Sequence, residues 1–318
     1  MATYTIRRAV QGLIVVVVVS LIVFFALNLL PGDPVIARLG TSTGTDDTVI
    51  AQLKHELGLD RPVGIRYFIW VGGALRADLG VSYITQQPVG RLIAQKFPAT
   101  VELALAAFLF ALVIAVPAAL LAAIRRDSWI DWAVTGFVTI GIAVPGFWLG
   151  IMLIMLFAVR LHWLPAVGYE PLARDPIGNL RHLILPAITL GVILAAPIMR
   201  FLRSSLLDAM RQEYVTVARA KGLRERVVVL RHILRNALLP TITLVGLQFG
   251  NLLGGVVIIE WVFSWPGMGW LTVDAVFKRD YSVVQGTVTL IAVGLVALNI
   301  AIDLLYAALD PRIRLAGD

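Results

Sequence analysis

The chain has 318 residues, of which 59% are hydrophobic and only 15% charged; it carries a formal net charge of +7 and no cysteine. A soluble domain carries about 25% charged residues, so this composition excludes a water-soluble globular chain. The lack of Cys also excludes a disulfide framework, a Cys-anchored haem and a thiol nucleophile.

Gaps between charges define the elements. A helix needs about 20 apolar residues to cross the hydrocarbon, and uncharged runs of 24, 22, 28, 18, 24 and 22 residues follow Arg8, Glu102, Asp131, Arg181, Arg235 and Asp280. Unbroken runs of this length exclude the alternating strands of a barrel. The pattern predicts an all-α polytopic membrane protein of six transmembrane helices. It divides into an N-terminal helix (1–30), an extracytoplasmic segment (31–98) and a core of five helices (99–318) that holds a cytoplasmic loop at 200–235. Arg7 and Arg8 ahead of the first run suggest a signal peptide, but the run ends in LNLLPGDP with no small-residue cleavage site, so it reads as a retained helix.

In the segment 31–98, Val49, Ile50, Leu53 and Leu57 suit one amphipathic helix, and Ile65, Phe68, Ile69 and Trp70 another. Packing on the membrane surface or on the second helix, where aromatic belts sit, is the plain reading. Pro186 and Pro197 interrupt the fourth run as packing bends, while Pro145 in the third fits a hinge or a bend equally.

Six helices place both termini on one side. The segments sharing that side hold 15 of the 27 Lys and Arg, whereas the short loops at about 160–181 and 260–281 hold 3 and 2. By the positive-inside rule the termini are cytoplasmic, which accounts for the positive charge without nucleic acid. Anchoring to anionic lipid explains its sign but not its arrangement at EYVTVARAKGLRERVVVLRHILRNALLP (213–240), where six cations surround Gly222. Leu207, Met210, Tyr214 and Val217 form one helical stripe. Gly222 then supplies a stop, and Val227, Leu230 and Leu234 resume a second stripe. Two short helices meeting at a glycine suit a groove on a partner.

This stretch resembles the cytoplasmic loop of ABC importer permeases of the dipeptide, oligopeptide and nickel branch. LLPGDPV at 29–35, LGLDRPVGIRYFIWVGGALRADLG at 57–80, FSWPGMG at 263–269 and LLYAALDPRIR at 304–314 resemble the same branch, in the same order. In the general importer pattern a Glu-Ala-Ala triplet stands six residues before the glycine. Here Thr216, Val217 and Ala218 occupy those places, with Glu213 one turn earlier. The resemblance implies a type I permease fold in a prokaryotic inner membrane. It also implies a second homologous permease, two cytoplasmic ATPase subunits or domains that bind ATP and Mg, and an extracytoplasmic solute-binding receptor docked near 31–98. Glu213, Tyr214, Ala218, Ala220, Lys221 and Gly222 would make the coupling contact, and dipeptides or oligopeptides would be the solute, with nickel chelates or glutathione as alternatives.

The chain should then hold no cofactor, metal or catalytic site of its own. Each of the four lysines (54, 96, 221, 278) lacks the following Ser or Thr of a phosphate-binding loop. His55-Glu56 has Leu59 where a zinc-protease helix needs a second histidine, and GVSYI around Ser82 is no nucleophile turn. An ATP-independent secondary transporter is the competing class. It calls for internal repeats and ionisable residues at mid-membrane, yet Glu102, Glu260 and Asp303 all lie near the ends of runs. On the fifth run, Gly246, Gly250 and Gly254 share a packing face. Gln248, Asn251 and Gly255 share a second face, suited either to a hydrogen bond with a neighbouring helix or to a solute path.

Overall fold

A computed structural model describes residues 2–29, 47–56 and 58–309. LLPGDPV and the end of LLYAALDPRIR fall largely outside this range, as does Leu57. In chain order the helices are α1 (Ala2–Leu29), α2 (Asp47–Glu56), α3 (Val63–Ala74), α4 (Val89–Ile124), α5 (Trp129–Ala143), α6 (Gly146–Leu153), α7 (Pro176–Met210), α8 (Glu213–Ala220), α9 (Leu234–Val262), α10 (Met268–Phe277) and α11 (Tyr281–Leu309). Wider π-type turns extend α6 over Ile154–Arg160 and precede α9 over Val228–Ile233. Among the described residues there is no strand, only a single bridge between Val81 and Pro88.

Four helical stretches are long and apolar enough to cross a bilayer: Arg7–Leu29, Val89–Ile124, Pro176–Met210 and Tyr281–Ile302. The fifth apolar run of the sequence lies within α9, 29 residues long. The third run departs from expectation. In place of one straight helix it forms α5 and then α6 with its π-type extension, which are long and apolar enough together to cross a bilayer but have axes at 107° to each other. Pro145 is the cause, because it has no N–H to donate and its ring pushes the preceding residue out of the α region. Val144 (ψ 125°) and Pro145 (ψ 133°) are both extended, and two such residues turn the chain sharply. Pro186 and Pro197, by contrast, lie within the continuous α7.

Two compact units emerge, one of residues 1–100 with 266–318 and the other of 101–265, α4 passing from the first into the second. In the first, Leu27, Val89, Ile93, Met268, Leu271, Tyr281 and Val284 form the core. Gly12 lets α1 approach α11, since a Cβ there would stand 2.3 Å from Val296 Cγ1. The loop before α4 is tied to the corner before α11: the Ser82 hydroxyl and the Tyr83 N–H (3.0 Å) both donate to the buried Asp280 carboxylate.

In the second unit Leu103, Ala107, Ala111, Ala115, Ala119 and Ala123 are all buried at intervals of four. The five alanines of this ladder admit a close neighbour, and α7 takes the place: a Cβ on Gly191 would stand 2.9 Å from the Ala107 carbonyl oxygen. At one end of this unit the Glu102 carboxylate accepts from the Asn179 amide (2.5 Å) and the Tyr169 hydroxyl (3.0 Å). Tyr169 also packs edge-on against the fully buried Trp265, 4.7 Å between ring centres.

Candidate coupling loop

α7 ends at Met210, and extended Gln212 (ψ 147°) interrupts the helix before α8 begins with Glu213, an acid well placed at a helix N-terminus. This interruption corrects the stripe expected from 207 to 217. Leu207 and Met210 pack half-buried in the subunit, but the inward residues of α8 are Val215 and Ala218, while Tyr214 and Val217 face outward. Ala218 is 6% exposed, so it seats the helix and presents no surface to a partner.

The helix ends in a Schellman turn. The N–H of Gly222 donates to the Arg219 carbonyl (2.9 Å) and that of Leu223 to the Ala218 carbonyl (3.4 Å). This pattern needs a left-handed residue at its centre, which Gly222 provides at φ +74°. Arg219 and Glu225, three residues to either side, close over the turn: Nη2 and Nε of the guanidinium donate to the two carboxylate oxygens at 2.6 and 3.1 Å. The hydrogen bonds from Arg219 hold the Glu225 carboxyl below its usual range, and the same bonds raise Arg219.

Of the second expected stripe only Leu234 packs half-buried against the core. The π-type turn carries more residues per turn than an α-helix, so Val228, Val229 and Ile233 point inward while Val227 and Leu230 stay exposed. The inward residues join Val215, Ala218, Ala119, Ala123, Leu202, Leu206, Ala209 and Ala237 in one cluster, which fixes the loop to α4, α7 and α9. Outside lie Tyr214, Val217, Ala220, Leu223, Val227 and Leu230, an apolar strip accompanied by exposed Glu213, Lys221, Gly222, Arg224, Arg226 and Arg231.

Sequence reasoning missed two charged pairs. Arg219 and Glu225 were legible as opposite charges placed symmetrically about Gly222. Asp131 and Arg203, 72 residues apart, carry no local signal; they join the base of α5 to α7 with two bonds of 2.6 Å, and Asp127 N–H adds a third to the carboxylate (3.1 Å).

On α9, Gly246, Gly250 and Gln248 are half-buried, and the side chain of Asn251 lies outside the described part. Gly255, placed on the polar face from sequence, abuts α7: a Cβ there would stand 3.3 Å from Leu190 Cδ1. Gly254, placed on the packing face, is exposed, and a Cβ on it would meet nothing within 4 Å among the described residues.

Residues 115–315 match the family described as binding-protein-dependent transport system inner membrane component, and residues 1–104 match its N-terminal counterpart. The chain belongs to this family. The permease is 40% identical to the glutathione transport system permease protein GsiC of Escherichia coli over 314 residues, 99% of both chains. It is 39% identical, over the same share of both, to a putative peptide transport system permease protein of Brucella abortus. Among solved structures it is similar in fold to the methionine ABC transporter MetNI in inward-facing conformations (TM-score 0.56, 20% identity, 69% of this chain and 96% of that one). An amino acid ABC transporter gives a TM-score of 0.54 at 13% identity, covering 69% of this chain and 94% of that one. The permease is thus a multi-pass inner membrane component of an ABC importer and not its ATPase.

Proposed function

We propose that this permease pairs with a second, homologous permease and receives solute from an extracytoplasmic binding protein. Its 213–235 loop docks on one of two cytoplasmic subunits that bind ATP and Mg, with both termini on the same side as that loop. The solute is a short peptide, glutathione included; the relatives named for peptide and glutathione transport support that class. Gln248 and Asn251 of α9 line the path, where amides meet a peptide backbone without holding it too tightly to release.

One observation carries the docking assignment: an apolar strip left outward by a loop whose other face is fully seated in the core. Exposed apolar patches on a rigid mount mark interaction sites. The test places a photo-crosslinking side chain at Val217 or Leu230 in the assembled transporter and identifies the product by mass spectrometry. Adducts with a subunit that carries a phosphate-binding loop are expected at both sites and not at buried Val215. Adducts with lipid alone would leave only the anchoring role.

A further inference from the structure

Helix α3 has its polarity reversed. At 100° per residue, Arg66, Tyr67, Trp70, Val71 and Ala74 fall on one arc, and all are buried or half-buried. The opposite arc holds Gly64, Ile65, Phe68, Ile69 and Gly72, all exposed and none polar. The one charge of the helix thus points into the protein, where Arg66 Nη1 donates to Asn28 Oδ1 at 2.9 Å and lies over the Phe24 ring. The Tyr67 hydroxyl also points inward, bonding the Ser20 hydroxyl at 2.8 Å in a buried contact. A helix lying on a water-facing surface shows the reverse order, apolar inward and polar outward. The separation also corrects the grouping of Trp70 with Ile65, Phe68 and Ile69, since Trp70 lies on the inward arc.

Depth and continuity point the same way. The partners of α3 on α1 lie between Ser20 and Asn28, in the C-terminal half of a stretch that crosses the bilayer by length and apolarity. Ser20 stands nine residues before Leu29, about 13 Å along the helix axis at 1.5 Å per residue. The exposed stripe of α1, Val18, Ile22, Phe25 and Leu29, runs up to α3 through Phe25, whose ring stacks on Tyr67 with 6.5 Å between centres. Phe68 is 74% exposed beside that stripe.

We propose that α3 is a membrane-embedded helix whose Ile65–Phe68–Ile69 face is covered by acyl chains, in the leaflet that holds the C-terminal half of α1. Its inward Arg66 and Tyr67 pin it to α1.

The chain has no cysteine, so single cysteines carry a nitroxide without background. The full transporter, reconstituted in nanodiscs of phosphatidylethanolamine and phosphatidylglycerol, is labelled at Phe68→Cys or Ile65→Cys. Ile22→Cys serves as the lipid standard and Arg174→Cys as the water standard. Power saturation then compares oxygen, which partitions into acyl chains, with a nickel chelate confined to water. The expected oxygen-to-nickel ratio at 65 and 68 equals that at 22. A ratio equal to that at 174 overturns the assignment and marks a water-facing surface for the receptor. Low accessibility to both reagents overturns it in favour of a protein partner covering the face. Because each variant changes one outward side chain and spares Arg66 and Tyr67, loss of the label's ordered spectrum at both sites together also counts against a pinned helix.

Discussion

Replacing Gly222 separates the conformation of the 213–235 loop from its chemistry. At φ +74°, a Cβ added at this position meets nothing within 4 Å among the described residues, so alanine introduces no clash. Its cost is that of an L residue in the left-handed region, about 1–2 kcal/mol, which multiplies the opened population of the turn by roughly 5–30. Asparagine tolerates this region better and should fall between glycine and alanine. Proline must do worse than either, because it fixes φ near −65° and removes the N–H that bonds the Arg219 carbonyl at 2.9 Å. Trypsin reads the effect directly, since Arg219, Lys221 and Arg224 flank the turn, and cleavage tracks the opened population when reclosing is fast. In the purified transporter the cleavage rate should rise in the order Gly, Asn, Ala, Pro, with the alanine variant roughly 5–30 times faster than wild type, and solute uptake per ATP hydrolysed should fall in the same order. Equal cleavage rates for glycine, alanine and asparagine would refute the claim that a left-handed residue holds this turn.

Three further outcomes follow from the same geometry. Arg219→Glu and Glu225→Arg should each loosen the turn to trypsin, and the double swap should restore it, with all differences shrinking in high salt as exposed charges are screened; because the folded Glu225 pKa is depressed, the pair's contribution stands above the unperturbed value of 4.5 and is lost as pH falls below it. Tyr169 is pushed up to about 12 by burial and by its bond to Glu102, so a difference titration against Tyr169→Phe should show one phenol ionising near that pH; a raised folded pKa means its stabilisation is complete below pH 10 and disappears as pH rises through 12, and ionisation near 10 would contradict the bond. Asn251→Leu should lower uptake while assembly and basal ATP hydrolysis persist, whereas separation of the two permeases on size-exclusion chromatography would assign Asn251 to packing.

Apolarity located the membrane segments because the cost of burying charge in lipid is written residue by residue. It could not give the direction of the third run. The 107° break depends on two consecutive extended residues, Val144 and Pro145, and an apolar count treats Pro145 like its neighbours. Gly222 was legible because few residues adopt a left-handed turn, so a glycine between two stripes carries conformational meaning by itself. The facing of those stripes was not legible. Helical periodicity assumes an uninterrupted 3.6 residues per turn, and extended Gln212 and the π-type turn at 228–233 each reset the phase. The result moved the inward positions to Val215, Ala218, Val228, Val229 and Ile233 and left Tyr214, Val217, Val227 and Leu230 outside. Asp131–Arg203 and Glu102–Asn179 were illegible for a different reason: each joins residues more than 70 positions apart, and nothing local distinguishes them from ordinary helix-end charges.

If the loop docks as proposed, its mounting determines where a push on it must go. α8 is seated by side chains that also contact α4, α7 and α9, and the chain passes from the π-type turn into α9 without a linker. Closely packed interiors have low compressibility and pass strain on. The alanine ladder of α4 leaves little slack where Gly191 of α7 rests on it. From α7 the bidentate bond between half-buried Arg203 and buried Asp131 carries the connection into the base of α5, and separating the pair would leave the Asp131 charge buried and uncompensated. α5 then runs intact to Ala143, the Val144 N–H makes the last helical bond, to the Ile140 carbonyl, and Pro145 ends the series. Along this route from the loop, Pro145 is the residue with no N–H to give to a helix, while Val144 still donates to the Ile140 carbonyl at 2.9 Å. On the proposed docking of the loop, the charged pair that sequence could not reveal and the proline it left undecided become two ends of one lever, with α5 as its arm.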